Sequence, residues 1–271
     1  MQDGISNSEE LDEMASFIID EAYPFDVDPI SCVLSGSRGY GLNAETSDYD
    51  FIGIHIMDTN DCLEHPSHRR NREVISRKYT KDFQLIPPDL KGGYVSLQSF
   101  EMWKFISLLQ SGSFQIYELL YMPEVHHVEL GRLFELSRAC LTNKIGMAAI
   151  GICRKDLPNN PMDRKVVIMC YYRLIQAIHY LLEESFEWRA DGLFDYMGLH
   201  IPYGLAMLST YKDPAIRTTP IEYTSQVNDE IVWLINEAER AMVASRLPEK
   251  APQETLSDLL RVLKQIRLSM I

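Results

Sequence analysis

The feature that most restricts the fold is a pair of short apolar runs joined by a polar, glycine-containing stretch. Ile30 to Ser35 is rich in β-branched residues, and Tyr49 to Met57 is a second run bounded by turn residues. Such runs predict two strands, and we expect them to be neighbours in one sheet. Asp48 and Asp50 stand at the entry to the second strand. Because side chains of a strand alternate between faces, the two carboxylates should point one way and Tyr49 the other.

Two carboxylates on one face are costly without a cation, so this pair predicts a divalent metal site. Mg²⁺ or Mn²⁺ prefers few carboxylates together with the oxygens of a substrate phosphate. The stretch opens with Gly36 and Ser37, of which the glycine lets a phosphate approach the backbone and the serine donates to it. We expect Arg38 and Ser47 to add donors. Gly36 and Ser37 alone could form an ordinary tight turn, and Asp48 alone could be an ordinary turn or cap residue. The combination predicts metal-dependent chemistry on a nucleotide.

The full stretch GSRGYGLNAETSDYDFIGI resembles the signature of the polymerase-β nucleotidyltransferase superfamily, in particular its predicted branch associated with RNA repair. The likeness extends to segments around Lys104, Gly112, Tyr117–Tyr121 and Arg164–Leu182. It implies an α+β fold, with a small mixed sheet followed by a helical domain. It also implies transfer of a nucleoside monophosphate from a nucleoside triphosphate, such as ATP, to an acceptor hydroxyl. Asp48 and Asp50 would then be the catalytic metal ligands.

The sequence departs from the superfamily at one position. Members that use two metals have a third carboxylate on a later strand, just before a helix, and the helix pattern here begins at Phe100. The preceding segment, Gly92 to Gln98, contains no acid, and the likeness places Ser96 where the acid would be. Its loss weakens a second metal site and removes the expected proton acceptor. Either a carboxylate from elsewhere replaces it, or the protein is a catalytically degenerate nucleotide-binding sensor.

Residues outside this stretch are further candidates for nucleotide contacts. Lys165 and Arg173 fall in one predicted helix, and by resemblance they would hold the triphosphate or the acceptor. A solvated surface helix explains both equally well. Tyr172 is a candidate for stacking on a base and Lys104 for another contact, although packing is the ordinary role of such helix stripes. Glu118, in an apolar helix, needs a partner, and we expect Arg173 or a backbone amide to supply it.

The formal net charge of −13 separates the chain from non-specific nucleic-acid binders, which are basic. A local basic groove would still suit an RNA or DNA end as acceptor, and a small hydroxyl-bearing molecule is an equally open alternative. An acidic exterior also suits a partner protein as acceptor. No apolar run approaches the length of a membrane span, so no membrane partner is expected. The acidic first residues and five scattered cysteines favour a cytoplasmic protein with reduced thiols. Composition leaves the oligomeric state open.

The predicted elements divide the chain in two. Residues 1–130 are predicted to form the nucleotidyltransferase core, with an amphipathic first helix from Ser8 to Ala22. Residues 131–271 are predicted to form a helical domain. Residues 58–93 are interpreted as a loop or flap with a basic face around a weak strand, and an ordinary solvated insertion explains them equally well. In the second part the periodicity predicts helices over 130–155, 163–184, 203–211, 221–244 and 254–270.

Overall fold

The first half of the chain contributes a mixed five-stranded sheet, and most of the remaining described residues form helices. The structure is a computed structural model, and it describes residues 8–24, 27–43, 47–57, 73–80, 94–122, 124–127, 131–157, 163–211, 213, 216 and 224–269. A small mixed sheet followed by helices is the predicted α+β class. Most of the predicted flap, residues 58–93, lies outside the described residues.

The sheet has the strand order β3-β4-β2-β1-β5. Its strands are β1 (Val27–Ser35), β2 (Tyr49–Met57), β3 (Val74–Thr80), β4 (Tyr94–Glu101) and β5 (Glu124–His127). Strands β1 and β2 are neighbours, as the two apolar runs predicted, and they are antiparallel, whereas β2 and β4 are parallel. The parallel pairing brings the start of β2, with Asp50 and the preceding Asp48, beside the first residues of β4. Strand β5 was not predicted.

The helices before residue 130 flank the sheet. They are α1 (Ser8–Phe17), which continues as a π-helical turn (Ile18–Ala22), α2 (Gly36–Gly39), α3 (Met102–Ser111) and α4 (Phe114–Tyr121). The first helix therefore ends before Pro24, as predicted. Helix α3 begins two residues later than its pattern indicated, because the Glu101 side chain accepts a hydrogen bond from the Trp103 amide and caps it.

The later helices are α5 (Gly131–Ala139), α6 (Ile145–Asp156), α7 (Arg164–Glu183), α8 (Ala190–Met197), α9 (Pro202–Tyr211), α10 (Ser225–Ala244) and α11 (Gln253–Ser269). The single helix predicted over 130–155 is two helices. At the break, the Tyr117 hydroxyl donates to the Thr142 carbonyl (2.5 Å) and accepts from the Thr142 amide (3.1 Å). The Tyr117 hydroxyl thus satisfies the amide and carbonyl of Thr142 in place of the hydrogen bonds that a continuous helix would give them. Helix α8 was not predicted.

The sheet separates two apolar clusters. Tyr49 and Phe51 belong to the smaller cluster, against α1, whereas Ile52 and Ile54 belong to the larger one. This alternation confirms that Tyr49 points away from the face on which Asp50 lies. The larger cluster takes side chains from the sheet and from the later helices, so it crosses the predicted boundary between residues 130 and 131. The division into two domains stays a prediction.

Helix α7 is central to the later helices and packs against α6, α8, α9 and α10. Asp163 caps its first turn by accepting a hydrogen bond from the Lys165 amide (2.8 Å), and Glu184 ends it in the left-handed region (φ 54°). Among the described residues, no helix is long and apolar enough to cross a bilayer. The thiols of Cys32, Cys140, Cys153 and Cys170 are free and buried, and Cys62 lies outside the described residues.

Candidate active site

A row of polar side chains crosses four strands of the sheet. In the strand registers Asp50 of β2 is paired with Ser35 of β1 on one side and with Ser96 of β4 on the other, and Ser96 is paired with Lys78 of β3. Residues paired across strands project from the same face. We call Lys78, Ser96, Asp50 and Ser35 the polar row. It lies on the face of the larger apolar cluster, which also contains Ile52.

The carboxylate of Asp50 is held between the turn after β1 and the side chain of Ser96. The Ser96 hydroxyl donates to Asp50 Oδ1 at 2.6 Å. On the other side, Asp50 Oδ2 lies only 2.5 Å from the point where a Cβ on Gly36 would stand, and Gly36 has a φ of +63°. Both facts require glycine at position 36, because a side chain there would be strained and would collide with the carboxylate. The structure therefore brings Asp50 against the predicted phosphate loop.

The second carboxylate, Asp48, is anchored to the start of β4. Its Oδ1 accepts a hydrogen bond from the Tyr94 amide at 3.0 Å. Burial, followed by the charges of Asp48 and Asp50, raises the pKa of the Tyr94 phenol to about 12. Both acids are thus anchored to β4, Asp48 through the Tyr94 amide and Asp50 through the Ser96 hydroxyl. That they share one cation stays a prediction.

The loop between β1 and β2 starts with the single turn of α2. The amides of Tyr40 and Leu42 donate to the carbonyls of Gly36 (3.0 Å) and Ser37 (2.8 Å). Ser37 itself is buried. These bonds fix the path of the chain where Gly36 meets Asp50. Contact of Gly36 and Ser37 with a phosphate stays a prediction.

A cleft of about 510 Å³ opens over Ser35, Asp50 and Ser96 of the polar row, whereas Lys78 is not among its lining residues. Strands β1, β2 and β4 and the residues around α4 form one wall, and the end of α6 and the middle of α7 form the other. The second wall carries charge: Asp156 pairs with Arg173 at 3.8 Å, and Lys155 stands beside them. The second wall thus carries two cationic side chains and one carboxylate, and it faces the Asp50 carboxylate on the first wall. This arrangement suits a ligand that bears both phosphates and a cation.

At the back of the cleft, Glu118 of α4 is a buried carboxylate. It accepts hydrogen bonds from the Tyr40 hydroxyl (2.6 Å) and the Ser35 hydroxyl (3.3 Å). Burial raises the pKa of Glu118, and the Tyr40 hydrogen bond and the nearby Arg173 charge lower it in part. The expected partner, Arg173, is therefore an electrostatic neighbour, while hydroxyl groups supply the hydrogen bonds. Through Ser35, Glu118 is connected to the polar row.

A sequence profile of the RNA repair pathway DNA polymerase beta family matches residues 11–157, more than half of the chain. The match includes the phosphate-loop turn, both aspartates and Ser96. The chain belongs to this family. It is accordingly a nucleotidyltransferase of the polymerase-β type, as the resemblance in the sequence indicated.

Two solved structures align with this nucleotidyltransferase at low sequence identity. A spectinomycin adenyltransferase AAD(9) from Enterococcus faecialis, with ATP and spectinomycin, aligns with a TM-score of 0.45 and 12% identity over 86% of this chain and 100% of that chain. A nucleotidyltransferase-like protein from Exiguobacterium sibiricum aligns with a TM-score of 0.28 and 11% identity over 86% of this chain and 75% of that one. Curated protein sequences give no match.

Two residues predicted as nucleotide contacts have structural roles in this nucleotidyltransferase. Arg38 is buried, its guanidinium lies 3.8 Å from the centroid of the Tyr49 ring, and its Nε donates to the Ser47 carbonyl at 2.9 Å. Tyr49 points to the face opposite Asp50, so Arg38 is directed away from the cleft. Both Arg38 and Ser47 therefore close the loop around Tyr49, and the prediction that Arg38 donates to a phosphate is corrected.

The other predicted contacts are divided between the cleft and the rest of the molecule. Arg173 lines the cleft, but Lys104 and Lys165 are not among its lining residues. Tyr172 is fully buried, its hydroxyl donates to the Trp188 carbonyl at 2.9 Å, and its ring packs on Tyr40. A ring enclosed in this way has no face for a base, so the stacking prediction for Tyr172 is replaced by a role in packing.

The sequence analysis missed Lys155, which lines the cleft from the last turn of α6. Helical periodicity marks Lys155 as a residue of the exposed face, and that is its burial class. Periodicity carries no information about which element stands opposite an exposed face. The approach of α6 to the polar row depends on tertiary packing, so a single sequence gave no signal for this residue.

The donor atoms fit one divalent cation. Asp48 and Asp50 provide two neighbouring carboxylates, and phosphate oxygens of a nucleotide would complete the shell of a hard cation. No group of three or more His, Cys, Asp or Glu side chains suited to a metal occurs among the residues that the structure describes. At the position beside Asp50 on β4 stands the neutral hydroxyl of Ser96. The described residues therefore offer two carboxylates, without a third beside them.

Proposed function

We propose that this protein transfers a nucleoside monophosphate from a nucleoside triphosphate to an acceptor hydroxyl, with Mg²⁺ or Mn²⁺ held by Asp48 and Asp50. The observation that carries the proposal is the contact of the Asp50 carboxylate with the Gly36 turn. A cation on that carboxylate would be within reach of phosphates bound at Gly36 and Ser37. Family membership supports the reaction class, and the geometry supports the roles of these residues.

In the proposed complex, the turn at Gly36 and Ser37 binds phosphate oxygens through backbone and hydroxyl donors. Lys155 and Arg173 face them across the cleft and neutralise part of the triphosphate charge. A bound Mg²⁺ or Mn²⁺ would stabilise charge on the transferred phosphate and on the leaving pyrophosphate. The acceptor oxygen forms a bond to the α-phosphorus, the bond from that phosphorus to the bridging oxygen breaks, and pyrophosphate leaves with the electron pair. The hydroxyl proton passes to water.

The experiment is incubation with each α-labelled nucleoside triphosphate and Mg²⁺ or Mn²⁺, offering RNA and DNA oligonucleotides with free 3′-hydroxyls, a protein pool and a small-molecule pool. We expect label in one pool and at least a roughly 100-fold loss in Asp50→Asn. Asp28→Asn is the matched control, because Asp28 is an exposed acid on β1 outside the cleft. No labelled product in any pool would defeat the proposal.

The acceptor class is proposed as a nucleic-acid end, since the matching family is described by an RNA repair pathway. A protein hydroxyl is the competing acceptor, and the formal net charge of −13 favours it because it disfavours long nucleic acid. The pool in which the label appears distinguishes a nucleic-acid acceptor from a protein acceptor. Label that resists nuclease and is removed by protease would identify a protein acceptor.

A second candidate is a nucleotide-binding sensor without catalysis. The observation that favours it is Ser96, whose neutral hydroxyl stands beside Asp50 where an acid would complete a two-metal site. A sensor would bind a nucleoside triphosphate through Ser37, Lys155 and Arg173, and binding would survive Asp50→Asn. Nucleotide affinity without product from the wild-type protein would select this candidate over the enzyme.

A further inference from the structure

The polar row ends in a lysine on the side where two-metal enzymes of this type place their third acid. We propose that the ammonium group of Lys78 supplies the positive charge of a second divalent cation, so that the site works with a single metal ion. This inference rests on the proposed function, since it assigns a role to Lys78 in the same reaction.

The strand registers place Lys78 on this side of the site. Lys78 of β3 is paired with Ser96 of β4, and Ser96 is paired with Asp50 of β2. The three side chains share one face, so Lys78 lies two strands from Asp50 with only Ser96 between them. Arg77, the preceding residue, is paired with Leu97 and projects from the opposite face.

Ring contacts show which way the lysine side chain turns. Its Nζ lies 3.5 Å from the centroid of the Tyr94 ring. The backbone amide of the same tyrosine donates to Asp48 Oδ1 at 3.0 Å. The ammonium is therefore directed along β4 toward the residue that holds Asp48, and the aromatic face stabilises it there.

Ser96 leaves little room for a second metal on this side. Its hydroxyl is a neutral donor and is engaged with Asp50 Oδ1 at 2.6 Å. The oxygen of Asp50 that faces β4 is thus already hydrogen-bonded, while the other oxygen faces the Gly36 turn. A hard dication prefers anionic oxygen ligands, and the residues described on this side provide none beyond the two aspartates.

The net formal charge of the site also agrees with one metal ion and Lys78 in place of two metal ions. Two dications bound by three carboxylates leave one positive charge in a site of the two-metal kind. One dication with two carboxylates and a lysine also leaves one positive charge. Lys78 therefore restores the field at the acceptor side, where negative charge develops on the α-phosphate as the acceptor oxygen attacks.

Metal stoichiometry tests this inference without turnover. Mn²⁺ is titrated into the protein with α,β-methylene-ATP, and bound ion is counted by electron paramagnetic resonance. We expect one ion per chain for the wild type and a second ion for Ser96→Asp, which creates the third acid. Two tightly bound ions in the wild type would overturn the inference while agreeing with the proposed function. No binding of Mn²⁺ with the nucleotide would overturn the proposed function, and this inference with it.

A second variant tests the lysine itself. Lys78→Met, at an exposed position, should lower transfer by about 100-fold and leave binding of Mn²⁺ with α,β-methylene-ATP as in the wild type. Arg77→Met removes the same charge from the opposite face and should retain the wild-type rate. Transfer by Lys78→Met at the wild-type rate would sink the inference and leave the proposed function intact. Partial recovery of transfer in Lys78→Arg would support it.

Discussion

The Asp50 carboxylate occupies the space beside Gly36 that a side chain would need, with Oδ2 at 2.5 Å from an ideal Cβ. Gly36→Ala should therefore displace Asp50 and strain a backbone with a φ of +63°. We expect a loss of about 1–3 kcal/mol in the free energy of unfolding, measured with urea, and a loss of transfer of about 100-fold. Gly151→Ala is the control, because nothing lies near its Cβ in α6, and it should stabilise by about 0.5–1 kcal/mol.

Glu118 should make stability depend on pH. Burial raises its pKa in the folded state above the ordinary value of 4.5, so the folded protein holds this proton more firmly than the unfolded chain. The stabilisation is complete below pH 4.5 and is lost as pH rises through the folded pKa. Glu118→Gln cannot titrate, so its advantage over the wild type should grow with pH.

Urea unfolding of both proteins between about pH 4 and pH 8 measures that difference. Tyr40→Phe is a useful companion, because it removes the hydroxyl that donates to Glu118 and so raises the folded pKa further. In Tyr40→Phe, the loss of stability with rising pH should therefore extend to higher pH than in the wild type. A gap between wild type and Glu118→Gln that stays constant with pH would contradict the assignment of this titration to Glu118.

Lys155 should contribute to nucleotide affinity. Because it lines the cleft opposite the phosphate-loop turn, Lys155→Met should weaken binding of ATP with Mn²⁺ by about 10-fold or more, by calorimetry. The preceding residue, Arg154, is a control of equal charge. It is exposed and pairs with Glu239 at 3.3 Å, so Arg154→Met should bind like the wild type. Equal losses in both variants would indicate general electrostatics rather than a contact.

The C-terminal helix α11 should be essential for stability because its Arg267 pairs with Glu101 at the end of β4. Glu101 is 1% exposed and Arg267 12% exposed. Arg267→Met removes a cation that pairs with a buried carboxylate and should cost about 3 kcal/mol in thermal or urea unfolding. The exposed pair of Arg261 and Asp258 on the same helix gives the control, since Arg261→Met should cost under about 1 kcal/mol.

The sequence predicted the parts of the site that depend on local rules. The alternation along β2 predicted the directions of the Tyr49 and Asp50 side chains. The Gly36-Ser37 pair predicted a tight turn whose backbone is open to close approach. Arg38 shows the limit of this reasoning. Its position next to Ser37 suggested a phosphate contact, but the Tyr49 ring on the opposite face attracts the guanidinium, and only the packed structure shows that preference.

Helix periodicity failed in a different way. It identified α7 but could not orient it, so Tyr172 was kept as a candidate for stacking on a base beside its ordinary packing role. The structure gives the packing role, because the ring is enclosed against Tyr40. Lys155 and Lys78 were not singled out as site residues, because each reaches the site through elements distant in the chain. The short distance from Ser96 to Asp50 depends on the parallel pairing of β4 with β2, which no local pattern contains.

Tyr40, directly after α2, is tied to two of the later helices and to α4. Its ring lies 4.4 Å from that of Tyr172 in α7, its carbonyl accepts a hydrogen bond from the Ala190 amide of α8 (2.9 Å), and its hydroxyl is bound to Glu118 of α4. Widening the gap between the sheet and the later helices would break the first two contacts together. We therefore expect the cleft between the sheet and α7 to keep a constant width throughout turnover. The protein would then select acceptors by their cross-section and admit a single unpaired strand more easily than a folded surface.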